Sequence, residues 1–300
     1  MSIIVLGTVA LDSVKTPFGK RKDLLGGSAV HFSMAARLFT KVNLVAIVGS
    51  DFPQKHTNFL KDKGLNLSSL IVDEEGETFR WEGQYQGDLN SALTLNTKLG
   101  VLSAFKPIVS EEQRKIKNIF LANVDPDIQE NLLRKIHAPR LVGLDSMNYW
   151  INTKPKALIK LLRHIDIYVA NDQEARVLSG ENNLIKAAKR LCSLGTKMVL
   201  IKKGEHGVIF YSKKFIFSLP AYPVEKVIDP TGAGDTFAGG FMGYLAQSGR
   251  INSVTIKKAL AYGTVSASFN VEDFGLYRTS RLTRGQLEKR LSKFKRCFYF

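Results

Sequence analysis

Asp229-Pro230-Thr231-Gly232-Ala233-Gly234-Asp235-Thr236-Phe237 decides how this chain is read. The run follows a short apolar, strand-like stretch, Val224 to Ile228, and opens into a helix-like one, Phe237 to Ala246. Gly232 and Gly234 give the backbone conformations that other residues avoid and leave room for a close ligand. Successive N–H groups at a helix N-terminus form an anion site, and Asp235 stands at its mouth. Donors for phosphate charge, beside a carboxylate able to take a proton, are what phosphoryl transfer to a hydroxyl requires. Taken alone, the same Asp is equally a helix cap after a glycine turn.

Upstream of this run the pattern alternates. Apolar strand candidates are Ile3–Gly7, Val42–Val48, Asn118–Ala122, Arg140–Asp145, Ile167–Ala170, Lys197–Ile201 and Gly207–Tyr211. Helical patterns fall between many of them: Ser28–Phe39, Gln54–Lys63, Ser110–Lys117, Ile128–Ile136, Pro155–Leu162, Asp172–Leu178 and Leu184–Ser193. Such alternation predicts an α/β fold with a mostly parallel central sheet covered on both faces. Ligands in these folds gather at the carboxyl ends of the strands, where Asp12, Gly49, Asn123, Asp145, Asn171 and Lys203 fall. Glu77–Tyr85 and Ser91–Leu99 break the rhythm as a hairpin-like pair. Phe79, Trp81 and Tyr85 are too aromatic for a solvated loop. A small sheet projecting over the site would act as a lid that excludes water; an edge hairpin of the main sheet is the plainer alternative.

Composition narrows the class. The chain has 300 residues and a formal net charge of +16, which favours anionic ligands. Its densest basic patch runs through Arg278, Arg281, Arg284, Lys289, Arg290, Lys293, Lys295 and Arg296. Leu282, Leu287, Leu291 and Phe294 between them predict an amphipathic terminal helix with a solvated basic face. Zinc-finger spacing and an aromatic RNA-binding motif are both missing, which argues against nucleic acid as a partner. No apolar run approaches a membrane span, and the first residues read as a buried strand, without the marks of a signal peptide. Cys192 and Cys297 have no metal or disulfide spacing, so a reducing cytoplasm is the expected home.

Four further motifs align with the glycine-rich run. Gly7-Thr8-Val9-Ala10-Leu11-Asp12 follows the first strand, and Gly26-Gly27-Ser28-Ala29 precedes a helix. Asn171-Asp172-Gln173-Glu174 follows a strand, and Lys203-Gly204-Glu205-His206-Gly207 forms a turn between two strands. In order and spacing the five resemble the ribokinase-like (PfkB) family of sugar and nucleoside kinases, over about residues 1–280. The P-loop and protein-kinase signatures are missing. The resemblance implies one three-layer α/β/α domain over residues 1–300, with a β lid from about 13–25 and 73–103. It also implies transfer of the ATP γ-phosphate to an alcohol of a small sugar or sugar derivative. A nucleoside kinase, or a non-catalytic nucleotide-binding regulator, is the alternative.

The resemblance assigns roles residue by residue. Asp235 matches the general base, and the backbone of Gly232, Ala233 and Gly234 the anion hole. Asp12 matches the sugar-hydroxyl acceptor, and Gly26 and Gly27 the diglycine against which the substrate lies. Asn171 and Glu174 match the pair that organises Mg²⁺ and phosphate, Glu174 through water; Asn as N-cap with Glu at N3 is the capping-box alternative. Lys203, Gly204 and Gly207 match the nucleotide turn. Asp229 and Thr231 match positions that bind a monovalent cation in many relatives, which makes K⁺ a candidate cofactor beside ATP and Mg²⁺. Ile256–Phe269 matches the wall of the adenine pocket. His31 stands where the family often has Asn, and it reads equally as a substrate contact or a buried structural histidine. Asn123, at a strand end, and Arg80, suited to a carboxylate or phosphate, complete the substrate candidates. Some relatives exchange lid strands, so a homodimer through the lid is a further expectation.

Overall fold

Ile3 and Val5 of the first strand belong to one apolar core, Ile4 and Leu6 to another. Successive strand residues face opposite ways, so the sheet containing this strand is covered on both faces. The computed structural model describes residues 1–297. Its strands are β1 (Ser2–Leu6), β2 (Ala10–Thr16), β3 (Gly19–Gly26), β4 (Lys41–Gly49), β5 (Asn66–Asp73), β6 (Arg80–Tyr85), β7 (Ala92–Lys98), β8 (Asn118–Leu121), β9 (Leu141–Asp145), β10 (Ile167–Asn171), β11 (Met198–Lys202), β12 (Val208–Ser212) and β13 (Ile216–Leu219). The helices are α1 (Ser28–Ala36), α2 (Gln54–Asp62), α3 (Glu111–Arg114), α4 (Pro126–Leu133), α5 (Asn148–Thr153), α6 (Pro155–Leu162), α7 (Asp172–Ser179), α8 (Leu184–Ser193), α9 (Ala233–Ser248), α10 (Ser253–Asn270) and α11 (Arg284–Arg296).

Nine strands form one sheet in the order β13-β12-β11-β10-β9-β8-β1-β4-β5. Neighbours run parallel from β5 to β11, and β12 and β13 are antiparallel. The first core takes its helical side chains from α1, α2, α9, α10 and α11, the second from α4, α5, α6, α7 and α8. The fold is therefore α/β in three layers, with a mostly parallel sheet. From β1 the chain steps outward to β4 and β5, then returns to the other side of β1 as β8. That reversal opens a crevice at the carboxyl ends of β1 and β8, where such folds bind ligands.

Four strands form a second, smaller sheet in the order β3-β2-β6-β7. The hairpins β2–β3 and β6–β7 join through parallel β2 and β6. It uses residues 10–26 and 80–98, whereas the expectation was 13–25 and 73–103. Asp73 ends β5 in the large sheet, and Val101 and Leu102 turn into the core.

Other boundaries also differ. Val224–Ile228 forms no strand; the Ile228 N–H donates to Val271 O instead of a ladder. Ser110–Lys117 shortens to the single turn α3, whose Ser110–Gln113 capping box ends in a Gln113 bond to Ser69 Oγ. Strands β5 and β13 were not anticipated. Both lie at sheet edges, where polar residues interrupt the apolar run. The terminal helix α11 buries Leu287, Leu291 and Phe294, as its spacing predicts. Lys289, Lys293, Lys295 and Arg296 are exposed on its basic face, while Arg284 pairs with Glu288 and Arg290 with Glu272. Among the described residues no helix is long and apolar enough to cross a membrane.

Candidate active site

The loop entering α9 is held from every side. Gly232, its N-cap, has φ 73, in the left-handed region, and a Cβ there would sit 2.2 Å from the His31 ring. Gly234 differs from expectation: it is an ordinary helical residue, and its missing side chain matters for another reason, given below. Asp229 is fully buried, and its two oxygens accept the Thr231 and Gly275 N–H groups, both at 2.9 Å. The side chain that the resemblance links to a cation thus shapes the loop. Asn270, the last residue of α10, donates to Thr231 O at 2.7 Å. Its carbonyl oxygen accepts Thr236 Oγ1 at 2.9 Å and lies 3.1 Å from His31 Nδ1. An amide oxygen only accepts, so His31 carries its proton on Nδ1. Burial pushes His31 below its ordinary pKa, against the pull of Asp229 and Asn270. The contacts of this histidine make it a prop beneath the turn.

Asp235 occupies the third position of α9, and no described residue hydrogen-bonds to its carboxylate. Burial, with Asp145, Asp12 and Glu174 nearby, pushes it up to about 8, against the opposing charge of Lys202. Lys202 ends β11, and its ammonium lies 2.9 Å from Asp145 Oδ2 at the end of β9. Burial alone would lower that ammonium; Asp145, Glu174 and Asp235 around it more than reverse this, and its pKa is raised. Asp145 is itself fixed. The Ser146 N–H donates to its Oδ1 at 2.7 Å, and Gln129 Nε2 of α4 bridges the Ala122 and Asp145 carbonyls. In a lone Gly234 side chain, Cβ would fall 2.9 Å from Lys202 Nζ. Glycine at 234 therefore keeps space for the ammonium.

Asn171 and Glu174 form the capping box that begins α7, each side chain accepting the other's N–H at 2.7 Å. The capping-box alternative is thus what the structure forms, and it uses only Oε2 of Glu174. Burial, together with Asp145, pushes Glu174 up to about 7. No cluster of three or more His, Cys, Asp or Glu side chains poised for a metal occurs among the described residues. A single available carboxylate oxygen suits a hard ion that keeps most of its water and phosphate ligands, as Mg²⁺ does. In the turn after β11, the Lys203 N–H donates to Gly207 O at 2.7 Å. Gly207 has φ 83, and a Cβ there would meet Leu219 O at 2.1 Å. Gly204 lies under Asn90 of the β6–β7 hairpin, whose amide donates to Glu205 at 3.1 Å.

At the other end of the crevice Asp12 is 6% exposed and accepts the Gly27 N–H on Oδ2 at 3.1 Å. Burial pushes it up to about 7, against that bond. A Cβ on Gly26 would fall 2.0 Å from Oδ2, so the diglycine is what lets the carboxylate lie against the backbone. Thr8 and Ser28 exchange hydrogen bonds beneath it. Asn123 Oδ1 is buried with no partner, while its amide meets Met147 Sδ at 3.1 Å. Arg80 does not point a free guanidinium at the crevice: it is held by Asp23 at 2.5 Å and Asp51 at 2.7 Å. Of the three aromatics in this region Tyr85 reaches the glycine-rich turn, its hydroxyl 3.4 Å from Thr231 Oγ1, and Trp81 shares its face of β6, in register with Asp12. Trp81 bonds Thr94, and Phe79 packs on the second core.

The structure thus brings together Asp12, Gly26, Gly27, His31, Asp229, Thr231 and Gly232–Asp235, with Asn171 and Glu174 adjoining. Sequence reasoning missed Lys202, the anchoring of Asp145, and Asn270. The signal for the lysine was strand alternation at the end of β11.

The pfkB family carbohydrate kinase pattern matches residues 12–282. The chain is 30% identical over 249 residues to a cytidine kinase of Thermococcus kodakarensis, covering 81% of this chain and 87% of that one. It is 26% identical over 260 residues to a ribokinase of Haemophilus influenzae, covering 83% and 82%. Among solved structures, the nucleoside kinase of Methanocaldococcus jannaschii superposes with a TM-score of 0.79 over 97% of this chain and 98% of that one. At 23% identity this is a likeness of fold.

Proposed function

This chain belongs to the pfkB family carbohydrate kinases, and from that premise we propose that it moves the γ-phosphate of ATP to a primary hydroxyl of a nucleoside. The observation that carries the reading is the Asp235 carboxylate: half-buried, unpartnered, and beside the N–H groups that begin α9. With Asp235 ionised, the acceptor hydroxyl bonds to its carboxylate, and the hydroxyl oxygen attacks the γ-phosphorus. The bond from that phosphorus to the β,γ-bridging oxygen breaks, ADP departs, and the hydroxyl proton ends on Asp235. The Gly232 and Gly234 N–H groups hold the charge that spreads over the phosphoryl oxygens; the Ala233 N–H, expected to join them, donates to Pro230 O at 3.1 Å instead. Asp12 has Oδ1 left to accept an acceptor hydroxyl, since Gly27 uses Oδ2. Glu174, through water, and Asn171 would hold Mg²⁺, which would neutralise phosphate charge. In this reading the smaller sheet is the lid, joined to the site through Tyr85 and Asn90.

Two observations support a nucleoside over an acidic or phosphorylated sugar. The cytidine kinase likeness spans most of both chains, and Arg80, the group suited to an anionic sugar, is engaged by two carboxylates. A free ribose-type sugar is the second reading, favoured by the ribokinase likeness. The test is ADP release from Mg-ATP with cytidine, uridine, adenosine, inosine, ribose and fructose, with Asp235→Asn as control. Nucleoside-driven release lost in the variant is the expected result. Release driven by ribose alone selects the second reading, and ATP binding with no acceptor would favour a regulator.

A further inference from the structure

Lys202 stands where phosphate chemistry has a use for it. It closes β11 in register with Asn171 at the end of β10. Its side chain is 19% exposed, and its ammonium faces three carboxylates, Asp145, Glu174 and Asp235. The same ammonium lies where a side chain on Gly234 would begin, so it stands over the first turn of α9, beside the N–H groups of the anion site.

Resting on the kinase reading above, we infer that Lys202 is a further catalytic group, which contacts the transferring phosphoryl oxygens over the Gly232–Gly234 turn, and that Asp145 is the positioning residue that aims it. Phosphoryl transfer gathers charge on the equatorial oxygens and on the leaving oxygen. Backbone N–H groups meet that charge with fixed partial charges, while an ammonium on a flexible stem brings a full one. The surroundings of Asp145 are those of an aiming device. Gln129 ties the ends of β8 and β9 together, and the Ser146 N–H takes one Asp145 oxygen, leaving Oδ2 for the lysine. A buried ion pair is weak evidence for stability as such, so a purely structural pair has little need of this bracing.

The test compares Lys202→Met, Lys202→Arg and Asp145→Asn with the unaltered full-length protein. With the best acceptor from the panel, Lys202→Met should lower kcat by about 100-fold or more, and Lys202→Arg should recover part of that loss. Asp145→Asn should lower kcat by about tenfold, while KM for ATP stays level or falls, because a negative charge has left the phosphate site. Circular dichroism and Mg-ADP binding report whether each variant is folded. Calorimetry then measures how much aluminium fluoride, a mimic of the phosphoryl group in flight, tightens Mg-ADP. The unaltered chain should show a gain of about tenfold or more that Lys202→Met lacks. A kcat for Lys202→Met within about threefold of the parent, or an equal fluoride gain in both, sinks the inference. If the unaltered chain phosphorylates nothing, the kinase reading fails by itself, and the fluoride comparison still decides whether Lys202 meets phosphoryl charge.

Discussion

The crevice has a carboxylate at each end, and the two are treated differently. Asp12 is buried and Asp235 half-buried, and both are pushed up, to about 7 and about 8. Asp12 accepts the Gly27 N–H and lies against a diglycine with no room to turn. Asp235 has no hydrogen-bond partner among the described residues, although the turn beneath it is tied down by Asp229, Asn270 and His31. A carboxylate bonded to backbone is oriented, and suits the holding of a substrate. One left unbonded on a rigid support keeps a lone pair for a proton. In the proposed kinase reading the difference gives positioning to the first end and chemistry to the second.

The hardest test of that contrast is Asp235→Asn. Turnover should fall by about two to four decades, the size of general-base effects, while Mg-ATP binding survives. Near-normal turnover would erase the distinction between the ends. The same variant carries a pH signature. Folding raises Asp235 from its ordinary 3.8 to about 8, so the folded chain holds a proton that the unfolded chain releases. The stability this adds is complete below about 3.8 and is lost as pH rises through about 8. Asparagine has no proton to lose. Asp235→Asn should therefore melt above the parent by a few degrees at pH 8, with the gap closing toward pH 4. A gap that stays constant with pH would show that burial does not hold the carboxylate up.

Gly234→Val should come next, lowering kcat by about 10- to 100-fold by displacing the Lys202 ammonium and obstructing the phosphoryl approach. Strain is not the mechanism, because Gly234 is helical; it belongs to Gly232, at φ 73. An active Gly234→Val enzyme would mean that nothing approaches the turn closely. At the other end, Asp12→Asn should act mainly on acceptor KM, raising it by about 10- to 100-fold, the worth of a hydrogen bond to a charged group. A loss confined to kcat would move Asp12 from positioning into chemistry.

These residues show what a single sequence discloses. The glycine-rich run, the strand-end carboxylates and the central strands were legible, because buried parallel strands such as Leu141–Asp145 read as apolar runs. Edge strands were not: Asn66–Asp73 is polar on its open side, and its identity comes from pairing with β4. Lys202 and Lys203 are adjacent in sequence, and the family resemblance points to the second, at the start of the turn. Strand alternation sends neighbours to opposite faces and so separates Lys202 from Lys203, while the partners of Lys202, Asp145 and Gly234, emerge only in three dimensions. Asn270 lies 39 residues from Thr231 O, to which it donates, and no local pattern signals that bond.

Tyr85→Phe is the finest probe of the contrast, because it touches the rigid support without touching either carboxylate. The Tyr85 hydroxyl comes from the smaller sheet and meets Thr231 Oγ1 at 3.4 Å, a long bond. Its loss removes about 0.5 kcal/mol of net hydrogen bonding, the lower end of the usual range. The ring, largely buried, stays. If the turn is held by Asp229, Asn270 and His31 as described, kcat should change by less than about threefold. KM for the acceptor should carry most of the effect, since the smaller sheet is where closure over the substrate is felt. A fall of about tenfold or more in kcat would instead make the smaller sheet part of the turn's support. The crevice would then have one interdependent frame rather than a positioning end and a chemical end.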